Sequence, residues 1–215
     1  MVIHHINPGT NFDSNIFLII GTRTALIDAG TGKESKRNIA KIKDHLNGRE
    51  LDMIILTHFH FDHIGGLKDL QKEFDAEVLA GAGDAPFIAN GDPEYTLSGW
   101  YSDGPAYSTE VTELMEGDVI DMGEHRLRVV NTPGHTSGSI CLYDEVTLSL
   151  FSGDTLFARG IGRTDLPSGS TGELIRSLKK LSEIDIKMLY PGHMNTVSDG
   201  KGAVRYGLMM TGGMS

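Results

Sequence analysis

The sequence predicts an α/β chain in which two blocks of strands pair as sheets with helices outside them. Three observations carry that expectation. Short apolar runs of strand length recur in both halves, from Ile16-Phe17-Leu18-Ile19-Ile20 to Met188-Leu189-Tyr190. Between them lie charged stretches whose apolar residues return at helical spacing, as Ile39, Ile42 and Leu46 do. The 27 glycines then supply tight turns between many elements. With 215 residues, 39% hydrophobic and 22% charged, the chain can bury a sizeable core, and no linker divides it, so one domain over 1–215 is expected.

In chain order, Ile16–Ile20 and Thr24–Ile27 form a hairpin turned at Gly21-Thr22-Arg23. An amphipathic helix runs from Lys33 to Leu46, and Met53-Ile54-Ile55-Leu56 is a short buried strand. A helix over Leu67–Phe74 and a strand over Glu77–Ala80 follow. The stretch from there to about Tyr107 is rich in glycine, proline and aspartate, with Tyr95, Trp100, Tyr101 and Tyr107 but weak periodicity. It is either a surface excursion with its own aromatic cluster or a lid over a site. Strands resume at 119–122, 127–130, 139–143 and 148–152. A helix over Thr171–Leu181, a strand at Met188–Tyr190 and a helix near Asp199–Tyr206 complete the pattern, with a loosely held tail over 211–215.

A net charge of -10 argues against a broad basic surface for a polyanion, so nucleic acid is an unfavoured substrate. Cys141 is the one cysteine, which rules out an intrachain disulfide, and its mid-strand place suits a small apolar side chain. The first residues lack the basic start and apolar core of a secretory signal, and no run is long enough to span a bilayer. A cytoplasmic protein is expected, without a membrane partner. The oligomeric state has no signal in the sequence.

Chemistry concentrates in Thr57-His58-Phe59-His60-Phe61-Asp62-His63-Ile64-Gly65-Gly66. Three imidazoles and a carboxylate gather where a buried strand leaves the core, and burying them without a cation would be costly. His58 and His60, two apart in extended chain, project to one side and can reach one ion. Asp62 and His63 are neighbours and diverge, which suits a second ion beside the first. Imidazole with carboxylate favours zinc, iron or manganese over calcium or magnesium. Asp28, at the end of a strand, either orients a ligating imidazole or caps the helix that follows.

Three more polar residues follow apolar runs in glycine-containing turns: His135 in Thr132-Pro133-Gly134-His135-Thr136, Asp154 in Ser152-Gly153-Asp154-Thr155, and His193 in Tyr190-Pro191-Gly192-His193. With these in place the chain resembles the metallo-beta-lactamase superfamily, whose signature is His-x-His-x-Asp-His followed by isolated His, Asp and His. The resemblance spans Asp28 to His193 and implies a four-layer αββα sandwich with two metal ions at one edge of the sheets. It implies one site of His58, His60 and His135, a second of Asp62, His63 and His193, and Asp154 bridging both. Two divalent ions are expected, zinc foremost, with iron or manganese as alternatives. His4, His5, His45 and His125 lie outside the motif and receive no role.

Within that superfamily the chain is most similar to glyoxalase-II-like hydrolases of the shorter branch, through Thr132–Thr136 and Gly160-Ile161-Gly162-Arg163-Thr164-Asp165-Leu166-Pro167. The resemblance implies hydrolysis of a small-molecule thioester by a hydroxide bridging the metals, with Asp154 holding both ions and Asp62 orienting the water. Thiolate leaves readily, so no further general acid is required. Arg163 is a candidate substrate contact or one half of a structural ion pair with Asp165. Two rival expectations stand: a persulfide dioxygenase with one iron on His58, His135 and Asp154, and a catalytically silent binding module of the same fold.

Overall fold

A computed structural model of the chain describes residues 2–8, 13–101 and 106–212. The first sheet contains β1 (Val2–His5), β2 (Phe17–Ile20), β3 (Thr24–Ile27), β4 (Met53–Leu56), β5 (Glu77–Gly81) and β6 (Thr112–Leu114), hydrogen-bonded in that order. β1, β2 and β3 are antiparallel neighbours, whereas β3 through β6 run parallel. Parallel strands need crossovers, and helices supply them. α1 (Ser35–Leu46) links β3 to β4, α2 (Phe61–Ile64) and α3 (Leu67–Phe74) link β4 to β5, and α4 (Ala85–Asn90) and α5 (Ser98–Tyr101) precede β6.

The second sheet is an antiparallel meander of β7 (Val119–Asp121), β8 (Arg126–Asn131), β9 (Ile140–Asp144) and β10 (Ser149–Gly153). A small ribbon, β11 (Leu156–Phe157) with β12 (Gly160–Ile161), and α6 (Thr171–Ser182) lead to β13 (Met188–Pro191), which lies parallel to β10 at the sheet edge. α7 (Gly200–Met210) packs on α6.

Alternation along the strands sorts side chains into three cores. Leu18, Leu26, Ile54 and Leu56 face Ile42, Leu46, Leu67 and Leu70 of α1 and α3. Their neighbours Phe17, Ile19, Ala25, Ile27, Met53 and Ile55 face the other way, onto Leu127, Val129, Leu142 and Phe151 of the second sheet. Val130, Cys141, Tyr143 and Leu150 then meet Leu174, Leu178, Val204 and Leu208 of α6 and α7. Helix, sheet, sheet, helix is therefore the order of layers, as expected. Fully buried β4 is apolar throughout because both of its faces meet a core.

Most elements fall within a residue or two of their expected bounds. β1 and β6 were not expected: Val2-Ile3-His4-His5 and Thr112-Glu113-Leu114 are short and mix polar with apolar residues at the two edges of the sheet. α7 extends to Met210, past the expected end. The stretch expected to be irregular contains α4 and α5; residues 102–105 of it lie outside the described residues, as do 213–215 of the tail. Its order comes from packing, since Phe87 and Tyr95 stack with centroids 4.2 Å apart and both meet the ring of Phe59 edge-on. Trp100 is 67% exposed and stands outside that cluster. No helix among the described residues is long and apolar enough to cross a membrane.

Candidate metal centre

β8 and β10 are both antiparallel to β9, and β13 is parallel to β10, so the three strands finish at the same edge of their sheet. His135, Asp154 and His193 follow those ends. The segment after β4 meets them there, with Ile140 N–H donating to Thr57 O at 2.9 Å. Gly134, at φ +137°, lets the chain turn into His135 against α6, where a Cβ would strike the Leu174 backbone.

The structure brings all seven predicted side chains together. His58, His60 and His135 form one group, with His60 Nδ1 2.9 Å from His135 Nε2. Asp62, His63 and His193 form a second, with Asp62 Oδ2 3.0 Å from His193 Nε2 and 3.9 Å from His63 Nε2. Asp154 lies between them, Oδ1 3.4 Å from His63 Nε2 and Oδ2 3.7 Å from His135 Nε2 and 3.5 Å from His193 Nε2. One detail departs from the extended-chain expectation. Asp62 and His63 do not diverge, because both sit on the helical turn α2, and they converge with His193.

His58, His60, His63 and His135 are buried, while the side chains of Asp154, Asp62 and His193 keep a small exposure of 12%, 16% and 26%. Burial, reinforced by the neighbouring imidazoles, drives His58 well below the usual histidine range and pushes His60 down to about 3. Burial also lowers His135. These imidazoles are therefore neutral, the form that can donate a lone pair to a metal. His63 behaves oppositely: burial disfavours its charge, but Asp28, Asp154 and Asp62 outweigh that and raise it well above the usual range. His193 is raised too, with Asp154 and Asp62 overcoming burial. Burial likewise opposes charge on Asp62 and Asp154, yet His63 and His193 hold both carboxyls low.

Several donor atoms have no hydrogen-bond partner although buried: His58 Nε2, His60 Nε2 and Asp154 Oδ1. Orphaned polar atoms are uncommon in folded chains, and His58 Nε2 and Asp154 Oδ1 belong to groups whose donor atoms converge. A mixed set of imidazole nitrogens and carboxylate oxygens matches borderline cations such as zinc and iron, and the residues fit such a group.

The surroundings include contacts that sequence reasoning missed. His135 Nδ1 donates to the main-chain carbonyl of Arg163 at 2.7 Å, so that residue serves the centre through its backbone. The Arg163 guanidinium instead grips Asp165 through two bonds of 2.7 and 2.8 Å, on the exposed surface. Asn15 wraps the His193 turn: its N–H donates to Gly192 O at 2.6 Å and its Nδ2 to Pro191 O and Met194 O at 2.9 and 2.8 Å. Asp84 is buried between the loops that carry His60 and His135; burial pushes its carboxyl up to about 7, against the pull of Thr136, Gly138 and Phe59. Of the remaining histidines, His4 stacks on His45, His125 meets the carboxylate of Asp144, and His5 packs against Phe17 with its buried Nε2 lacking a hydrogen-bond partner.

Comparison with known proteins gives the chain's family and relatives. A family model described as Metallo-beta-lactamase superfamily matches residues 9–193. The probable metallo-hydrolase MJ0888 of Methanocaldococcus jannaschii is 36% identical over 190 residues, 86% of this chain and 89% of that protein. Acyl-coenzyme A thioesterase MBLAC2 of Gallus gallus is 32% identical over 214 residues, 85% of this chain and 73% of that one. Hydroxyacylglutathione hydrolase GloC of Haemophilus influenzae is 31% identical over 201 residues, covering 91% and 92%. Among solved structures, TTHA1623 in a di-iron-bound form superposes with a TM-score of 0.78 at 29% identity, over 97% of this chain and 100% of that one.

Proposed function

The chain belongs to the metallo-beta-lactamase superfamily, and from that membership and the arrangement of its seven side chains we propose that it is a two-cation hydrolase of small-molecule thioesters. One observation carries the reading: the Asp154 carboxylate lies within 3.7 Å of imidazoles from both groups, so a single residue can tie two ions together. His58, His60 and His135 would hold one ion and Asp62, His63 and His193 the other. Zinc is the proposed metal; the same donors accept iron, the metal of the TTHA1623 structure, or manganese. When bound, such cations would supply a water of lowered pKa and polarise a carbonyl oxygen.

The chain's own residues then divide the remaining work. Asp28 fixes the tautomer of His63, leaving Nε2 free for the ion. Asp62, whose side chain keeps some exposure, orients the attacking water and takes its hydrogen bond. Water adds to the thioester carbonyl, a C–O bond forms and the C–S bond breaks, giving a carboxylate, a thiol and the proton that the water releases. Thiolate is stable enough to leave unassisted, which agrees with a site whose acid and base groups all belong to the donor set. The two thioester-cleaving relatives support this substrate class.

Elemental analysis of purified protein, paired with a panel of acyl-coenzyme A thioesters, S-lactoylglutathione and glutathione persulfide, tests the proposal. Two ions per chain and thiol release from a thioester are expected, both lost in Asp154→Ala. One iron per chain with oxygen uptake on the persulfide, and no thiol release, would replace hydrolysis by the dioxygenase reading. Unchanged turnover in Asp154→Ala would remove the bridging assignment.

A further inference from the structure

The two residues that flank His60 both give their backbone N–H groups to the same part of the fold, the excursion between β5 and β6. Phe59 N–H donates to Asp84 Oδ2 at 3.1 Å, and Phe61 N–H donates to Thr96 O at 2.8 Å. The Phe59 side chain, between His58 and His60, packs on Phe87 and Tyr95 of the same excursion. The stretch is thus a buttress behind the histidine loop as well as part of the surface.

Asp84 does more than receive one bond. Its Oδ2 also accepts from Thr136 Oγ1 at 2.7 Å, and its Oδ1 accepts from Gly138 N–H at 2.7 Å. Thr136 is the residue after His135. The side chain is fully buried, and a Cβ at Gly138 would collide with the backbone of Gly83 and Asp84, so the two loops are in tight contact there. One carboxylate therefore ties the loop bearing His58 and His60 to the loop bearing His135. Asp84 touches neither anchor of the second group, Asp28 on His63 and Asn15 on the turn around His193, although Asp28 also reaches His58 through the Thr57 hydroxyl.

We propose that Asp84 is a positioning residue for the first cluster alone, setting the distance between the His58–His60 loop and His135 and leaving the Asp62–His63–His193 cluster unaffected. The assignment rests on the two-cluster reading above. Asparagine keeps the shape of the side chain but offers one acceptor oxygen where three donors converge, so Asp84→Asn turns an N–H toward the N–H of Gly138 or of Phe59 and loses at least that bond, loosening the tie between the two loops.

Chelator-stripped protein titrated with zinc against a competing chromophoric chelator provides the test. Wild-type protein is expected to take up two ions. Two backgrounds separate them: His193→Ala leaves an ion that reports on the first cluster, and His60→Ala leaves one that reports on the second. Adding Asp84→Asn is expected to weaken the remaining ion 10–100-fold in the His193→Ala background, roughly the cost of losing an outer partner of a metal ligand, and by less than about threefold in the His60→Ala background. Equal losses in both backgrounds mean a general structural role and overturn the assignment, as does no loss in either. Fewer than two ions in wild-type protein would instead overturn the two-cluster reading, and this assignment with it. Should Asp84→Asn fail to fold, Thr136→Val removes one of the three bonds at nearly constant volume, and the same selectivity is expected of it in the same two backgrounds.

Discussion

The Asp28 carboxylate accepts the Nδ1 proton of His63 at 2.8 Å while its two oxygens also take the Thr57 N–H at 2.8 Å and the Thr57 hydroxyl at 2.9 Å. Asp28 stands at a left-handed φ of 61°, far from the start of α1 at Ser35, so it is no helix cap. Of the two roles open from sequence, orientation of an imidazole is the one found. The Thr57 hydroxyl in turn lies 3.1 Å from His58 Nδ1, so Asp28 reaches both clusters. Asp28→Asn keeps the volume but can present its amide N–H to His63, favouring the wrong tautomer. Its expected effect is a 10–100-fold loss of metal affinity, measured by chelator competition, with the folded circular dichroism spectrum retained. Metal affinity equal to wild type would separate this pair from ion binding.

Arg163 offers a sharper contrast between side chain and backbone. Its carbonyl holds His135, whereas its guanidinium holds Asp165 at the surface, with side chains 57% and 68% exposed. An exposed pair of this kind contributes little to stability even when it is bidentate. Arg163→Ala leaves the carbonyl in place, so unchanged metal content and melting temperature are expected. A rise in KM for the thioester with kcat preserved would show that the guanidinium also touches substrate. Loss of metal would contradict the backbone role.

What could be read from the chain divides along physical lines. The convergence of the seven side chains was legible because each follows an apolar run and four of them lie within six positions of one another. The layered fold was legible because alternation in Phe17–Ile20 and Thr24–Ile27 feeds two cores at once. Asp84 and Asn15 were not, since each acts on backbone groups of a remote loop and leaves no periodic or motif signal. The Arg163 carbonyl is carried by every residue type, so no side chain could announce it. The helices α4 and α5 were hidden because Phe87 and Tyr95 pack on Phe59, a contact that local propensity does not encode.

Cys141 gives a pH prediction distant from the donor set. Burial raises its thiol to about 11 from a reference of 9.0, eased only partly by Thr132 and Thr155. The unfolded chain loses that proton first, so the stability held in the neutral thiol is complete below about pH 9 and disappears as pH climbs through about 11. Two pKa units correspond to about 2–3 kcal/mol. Chemical denaturation of wild type and Cys141→Ala at pH 8 and at pH 11 should show wild type losing more, by an amount on that order. Parallel pH dependence in the two proteins would contradict the burial argument, as would rapid modification of the folded thiol by an alkylating reagent at pH 8.

Gly192 sits where β13 hands the chain to His193, and the approach there is close enough to exclude even one added carbon. Its N–H donates to Gly153 O at 2.8 Å, which brings the His193 turn against the end of β10. A Cβ built on Gly192 would fall on Asp154 Oδ1 and on Cε1 of His63, with the backbone of Gly153 behind it. Neither neighbour is a flexible surface side chain that can swing aside: His63 is buried and held by Asp28, and Asp154 is confined among three imidazoles. Gly192→Ala must therefore displace the carboxylate that joins the two clusters while leaving every donor residue in the chain. A loss of thioester turnover of at least 10-fold and a fall below two ions per chain are expected, by the scale that applies when a ligand's orientation is disturbed. Elemental analysis and a thiol-release assay on the same preparation read both quantities. Full metal content with full turnover would mean that Asp154 does not need the position the structure gives it.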